Sequence, residues 1–323
     1  MRLLKRLVDI FFWLLIVCFG ACFATGASAV MLEERIALPM RSALAYLTRI
    51  APFSIFEVLL IGAPILLLAL LAHGHLSAVV TVAKLTLVGY VITLGIPSRL
   101  PPRVSEPDEP TFSEYIRAAE LVCDRLVTLS PIDGDMRLRA AEAAADYARR
   151  ELCIEAAYTP VVKTSLAPAV LTDMGVLAYY AFPTAEVTVN GTAPDFMRTF
   201  STAHELMHFL GVVREDEANL YAFISLADSG DDTLKFSAYL SAFVYLGAEI
   251  GAQNVDTYEQ IYAQLPENAR NSLKLRREFL ADRDAKMSDM SASLGDAAIS
   301  LRDPRGAESY SYTSRLIVDH LLQ

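Results

Sequence analysis

The chain has 323 residues, 54% of them hydrophobic, and a formal net charge of −10. Acidity without clustered Lys and Arg excludes a nucleic-acid partner, because phosphate binding needs concentrated positive charge. The apolar excess lies almost wholly before Pro97, whereas charged residues concentrate after Arg99, so the sequence divides into a membrane part and a soluble part long enough to bury a core.

Arg2, Lys5 and Arg6 precede a first apolar run over about 10–31, the charge placement of a cytoplasmic amino terminus ahead of a signal anchor. Ala27-Ser28-Ala29 also has the small-x-small form of a signal-peptidase site, so a cleaved signal is the rival reading. Cys18 and Cys22 inside this run read as small buried hydrophobes. Further runs over 56–72 and 76–96 each supply about the 20 residues that a bilayer needs. Between them His73-Gly74-His75 leaves room only for a tight turn between antiparallel spans, too few ligands for a metal site. Lys84 in the third run is read as snorkelling to the nearer surface.

Residues 1–98 therefore form a membrane region with three expected spans, and the five prolines from Pro97 to Pro110 mark a linker over 99–110. Three crossings place residues 111–323 on the exoplasmic side of the plasma (inner) membrane of a multi-pass protein. That domain reads as mainly α. Helical spacing of apolar residues predicts helices over 112–129, 136–157, 236–251 and 271–287. Ala185 to Asn190 alternates polar with apolar residues and ends at Asn190-Gly191, predicting a short strand that, as an exposed edge, would bind an extended peptide by strand addition. Cys123 and Cys153 lie on two of the predicted helices and would form a disulfide in an oxidising compartment.

The informative stretch is Ala203-His204-Glu205-Leu206-Met207-His208, an HExxH motif. Residues four apart share a helix face, so His204 and His208 present two imidazoles to one ion, and Glu205 points beside it as a general base. Gly211 supplies a left-handed helix stop. A hydrolytic zinc site needs three protein ligands, and Glu215 and Glu217 at the start of the next helix are the candidates for the third. Glu215 is favoured because Asn219, one turn on, would support a ligand histidine by hydrogen bonding; Glu217 stays open. Arg214 stands where the metzincin pattern has its third histidine, which argues against that clan.

These residues, together with Pro52-Phe53-Ser54 and Glu57, Phe182-Pro183-Thr184-Ala185-Glu186-Val187, Phe236-Ser237-Ala238-Tyr239-Leu240 and Ser309-Tyr310-Ser311-Tyr312, occur in order along most of the chain. The sequence thereby resembles an uncharacterised family of bacterial membrane proteins with three amino-terminal spans and a carboxy-terminal HExxH domain regarded as a gluzincin-like zinc peptidase. Glu215 to Asn219 is similar to the gluzincin Glu-x-x-x-Asp/Asn element, whose first Glu binds zinc, although the seven-residue step from His208 is shorter than usual. The resemblance implies a mostly helical zincin-like domain with a small sheet beside the HExxH helix, Zn2+ as cofactor, and peptide or protein substrates near the bilayer. Tyr310, Tyr312 and Arg315 are candidates to stabilise an oxyanion. The rival function is a catalytically silent, metal-bearing scaffold or sensor; transport is disfavoured by spans almost free of polar residues.

Overall fold

A computed structural model describes residues 6–7, 9–17, 26–132, 134–281, 283–300, 305 and 309–323. Residues 9–17 are helical. Helix α1 follows as Gly26–Leu32, a π-type turn at Glu33–Ala37, and Leu38–Thr48. The expected first span falls partly on residues 18–25, outside the described residues, and its end belongs to α1, which buries Ala29, Leu32 and Ala37.

Helix α2, Ile55–Ala72, starts where Ser54 Oγ accepts the backbone N–H of Glu57 at 3.3 Å. Helix α3, Leu76–Tyr90, continues through a π-type turn at Val91–Gly95. At 18 and 20 residues, these two helices are long and apolar enough to cross a membrane. Large apolar side chains are exposed on both, and none of α2 is buried. Lys84 does not simply snorkel: its ammonium pairs with Asp9 and lies 5.4 Å from the centre of the Phe12 ring. An opposite charge on a neighbouring helix lowers the cost of an ammonium among apolar side chains.

The remaining chain is mainly helical. It comprises α4 (Phe112–Val127), α5 (Arg137–Glu151), α6 (Pro168–Asp173), α7 (Asp195–Phe209), α8 (Glu215–Ala227), α9 (Asp232–Gln253), α10 (Val255–Gln264), α11 (Glu267–Ala281), α12 (Ala285–Ser300) and α13 (Ser309–Leu322). A capping box opens α4: Thr111 Oγ1 accepts from Glu114 N–H, and the Glu114 carboxylate accepts from Thr111 N–H. The expected helix over 136–157 stops at Glu151, because Cys153 takes a left-handed φ of 55° and Ile154 N–H closes onto the Ala148 carbonyl at 3.0 Å. The expected helix over 271–287 is two helices, the second started by Asp284, whose carboxylate accepts the N–H of Met287 at 2.8 Å. Cys123 and Cys153 are free thiols: Cys123 is buried with its sulfur 3.8 Å from the Ile261 carbonyl, and Cys153 is exposed.

The expected strand is real but is not an edge. β1 (Val162–Thr164), β2 (Ala178–Ala181) and β3 (Glu186–Val189) form a sheet in the order β1-β3-β2. β3 runs parallel to β1 and antiparallel to β2, and all four of its residues are buried. Strand addition on β3 is therefore impossible, since both of its hydrogen-bonding edges are occupied.

Helix α8 lies at the centre of the domain, packed by α5, α7, α9 and α13, and every residue from Glu215 to Leu226 is buried. Phe209, Leu206 and Met207 of α7, Phe223 and Leu226 of α8, and Phe236 and Phe243 of α9 fill the core between them. Their burial supplies the dominant favourable term for the domain.

Candidate metal centre

Helix α7 ends in a Schellman turn. Gly211 takes φ 95°, its N–H bonds the His208 carbonyl at 3.1 Å, and Val212 N–H bonds the Met207 carbonyl at 3.0 Å. This turn brings the Val212 carbonyl within 2.7 Å of His208 Nδ1. A carbonyl only accepts, so Nδ1 carries the proton and Nε2 presents its lone pair. The short connection then restarts the chain as α8, with Glu215 as its first residue.

The consequence is a cluster. Glu215 Oε2 lies 3.3 Å from His204 Nε2 and Glu215 Oε1 lies 3.5 Å from His208 Nε2. The three ligand atoms all fall within 4.8 Å of one another. A tetrahedron with metal–ligand bonds of about 2.0–2.1 Å has edges of about 3.3–3.4 Å; each imidazole nitrogen stands near that distance from Glu215, one facing each carboxylate oxygen. Glu205 is buried beside the cluster. Burial pushes the His204 imidazole down, but its hydrogen bond to Glu215 and the charges of Glu205 and Glu215 outweigh this and raise it. Burial likewise pushes Glu215 up, yet the two histidines hold it well below the usual carboxylate range.

Asn219, one turn along α8, lies against His204 and contributes to raising it. Its amide also donates to Thr313 Oγ1 at 3.3 Å, so α13 supports the site from behind. His204 Nδ1 is buried and, among the described residues, has no hydrogen-bond partner.

The acids after Glu215 turn elsewhere. Glu217 accepts the backbone N–H groups of Arg103 at 2.7 Å and Val104 at 3.3 Å, tying the Pro-rich linker to α8. Asp216 pairs with Arg305 at 2.9 Å and with Arg214 at 3.4 Å. Tyr312 has two guanidinium groups over its ring, Arg305 4.6 Å and Arg315 4.8 Å from the ring centre, while Arg315 also pairs with Glu109 at 2.9 Å. Both oxyanion candidates are thus engaged in a surface network; the Tyr310 side chain lies outside the described residues.

Three contributors were not legible in the sequence. Tyr245 on α9 is a phenol that burial, and then the charge of Glu215, keeps protonated above its ordinary range. Arg41 and Glu33 of α1 form a buried ion pair against the end of α7. Arg41 Nε donates to the Phe209 carbonyl at 2.9 Å, one residue past His208, and Nη1 donates to the Ile92 carbonyl at 3.4 Å and to Glu33 at 3.0 Å. A Cβ at Gly211 would stand 2.6 Å from Glu33 Oε1 and 3.3 Å from Arg41 Nη2. Gly211→Ala is therefore expected to cost about 1–2 kcal/mol for the left-handed backbone alone, and more for displacing the ion pair. Denaturant unfolding of the variant against wild type checks this.

The fold and the cluster define a mainly helical protein in which two helices long enough to cross a membrane join a domain carrying a largely buried His-His-Glu group. Within that class the chain belongs to the family described as "Protein of unknown function (DUF3810)", whose model matches residues 34–318. Searches of curated proteins and of solved structures return no match.

Proposed function

We propose that this chain is a membrane-anchored zinc-dependent metallopeptidase, with His204, His208 and Glu215 as the metal ligands and Glu205 as the general base. The observation that carries the reading is the convergence of one ligand atom each from His204, His208 and Glu215 within 4.8 Å of one another, the two imidazole nitrogens facing the two Glu215 oxygens at 3.3 and 3.5 Å, a grouping that can close on one divalent ion. The donor set of two neutral imidazoles and one carboxylate is that of hydrolytic zinc sites, and it leaves one position open. When bound, zinc supplies Lewis-acid polarisation of a carbonyl and lowers the pKa of water. Val212 fixes the His208 tautomer, and Asn219, held by Thr313, supports the α8 side of the site. Glu205 takes a proton from water and returns it to the leaving amine. With α2 and α3 crossing the bilayer as a hairpin, and with residues 9–17 preceding α1, the protein is multi-pass, and its domain faces the exoplasmic side of the plasma membrane.

A second reading is favoured by one observation: the cluster is nearly closed to solvent, with His208, Glu205 and Glu215 all buried. A metal-bearing domain that binds a partner without cleaving it would need no open cleft. Proteolysis of a peptide library by the full chain in detergent or nanodiscs separates the two. The enzyme reading expects cleavage by wild type and none by His208→Ala; zinc bound without cleavage by wild type would leave the silent scaffold standing.

A further inference from the structure

Both membrane-length helices are fastened to the domain at the same end of their hairpin. At the start of α2, the N–H groups of Ile55 and Phe56 donate to the Glu186 carboxylate at 3.1 and 2.8 Å. Glu186 also receives the Lys163 ammonium, which donates to the Thr48 carbonyl at the end of α1 at 2.8 Å. In the first turn of α2, the Glu57 carboxylate accepts from Ser165 Oγ at 2.6 Å, Leu166 N–H at 2.7 Å and Tyr179 Oη at 2.8 Å. At the exit of α3, Arg41 bridges the Ile92 and Phe209 carbonyls. The turn at His73-Gly74-His75 lies a full helix length away, about 27 Å along α2 at 1.5 Å per residue. The small sheet and the end of α7 therefore sit at the level where α2 enters, and α3 leaves, the apolar slab.

Around that level the domain exposes large apolar side chains. Ile50 is 84% exposed, and Leu47, Phe53 and Leu166 are exposed as well. Leu47, Ile50 and Phe53 come just before Ile55, and Leu166 is bonded through its backbone to the first turn of α2. Arg49 stacks 4.1 Å over the ring of Tyr46, a pairing of amphipathic side chains suited to a headgroup layer. Contiguous exposed apolar surface marks an interaction site. We propose that Leu47, Ile50, Phe53 and Leu166 form a collar immersed at the acyl–headgroup boundary of the bilayer that α2 and α3 cross. The occupant is lipid because the collar continues the surface of α2, which has no buried residue and beyond its first turn exposes large apolar side chains from Val58 to Leu71. Through Arg41 and Phe209, the collar holds the His208 turn at the membrane surface, which restricts substrates to segments emerging from, or lying on, the bilayer. This rests on the reading of α2 and α3 as spans.

The chain has one tryptophan, Trp13, so a Trp13→Phe background lets single tryptophans report depth. Ile50→Trp, Phe53→Trp and Leu166→Trp probe the collar, Leu66→Trp probes mid-α2, and Val255→Trp probes the exposed start of α10. Each full-length variant is reconstituted in phosphatidylcholine vesicles with and without lipid brominated near the top of the acyl chain or at its middle. The collar tryptophans are expected to lose emission to shallow bromines, Leu66→Trp to deep ones, and Val255→Trp to neither. Collar residues unquenched while Leu66→Trp is quenched would overturn the collar and leave the spans standing. An unquenched Leu66→Trp would overturn both. Phe53→Trp, the smallest change of shape, gives the answer should Ile50→Trp or Leu166→Trp fail to fold.

Discussion

Arg41→Ala is expected to destabilise the chain by about 3–5 kcal/mol, because it strands a buried carboxylate without its partner. Glu33 would be left facing Gly211 in an interior that the guanidinium fills, and the carbonyls of Phe209 and Ile92 would lose a shared donor. Denaturant unfolding in detergent measures the loss. The double variant Glu33→Leu with Arg41→Met is the informative companion, since replacing both charges with apolar groups of similar size removes the desolvation cost. It is expected to regain most of the stability but less than the wild-type affinity for zinc, because the Phe209 carbonyl at the end of α7 then lacks its Arg41 donor. A double variant as unstable as Arg41→Ala would show that the lone charge is not what costs.

Glu205→Gln is expected to lower kcat by about 10²–10⁴, the range attributed to a positioned general base, with zinc content unchanged. Glutamine keeps the size and planarity of the side chain but cannot accept a proton at neutral pH. Glu205 is not among the three clustered ligand atoms, although its charge acts on His204. The loss should therefore fall on kcat with KM little altered, as expected for an interaction made in the transition state. Wild-type kcat in this variant would remove Glu205 from the chemistry.

The His204, His208 and Glu215 cluster was largely legible in the sequence because its determinants are local. Two histidines four apart on a helix, a glycine stop and an acid opening the next helix lie within 12 residues, from His204 to Glu215, and helical periodicity alone sets their faces. Between Glu215 and Glu217 the sequence favoured Glu215, through Asn219, but left Glu217 open. The choice depends on where the linker runs, and the linker's own N–H groups at Arg103 and Val104 claim Glu217. Arg41 and Glu33 were invisible for the same reason: Arg41 meets Phe209 across 168 residues of sequence. A charged pair between two apolar runs gives no local sign of being buried. The strand over 185–190 was found by its alternation, but its place in the middle of the sheet comes from β1 and β2, too short to give a pattern of their own. Glu57 and Glu186 carried the family resemblance as separate motifs. The structure shows them as the two carboxylates that bind the domain to the start of α2.

Elemental analysis of the full chain, purified in detergent and dialysed against dilute zinc, bears most directly on the claim that two imidazoles and one carboxylate form a metal site. Stoichiometric zinc is expected in wild type and in Glu217→Ala, and a loss of it in Glu215→Ala. A wild type that holds no zinc, or a Glu215→Ala variant that holds as much as wild type, would contradict the claim.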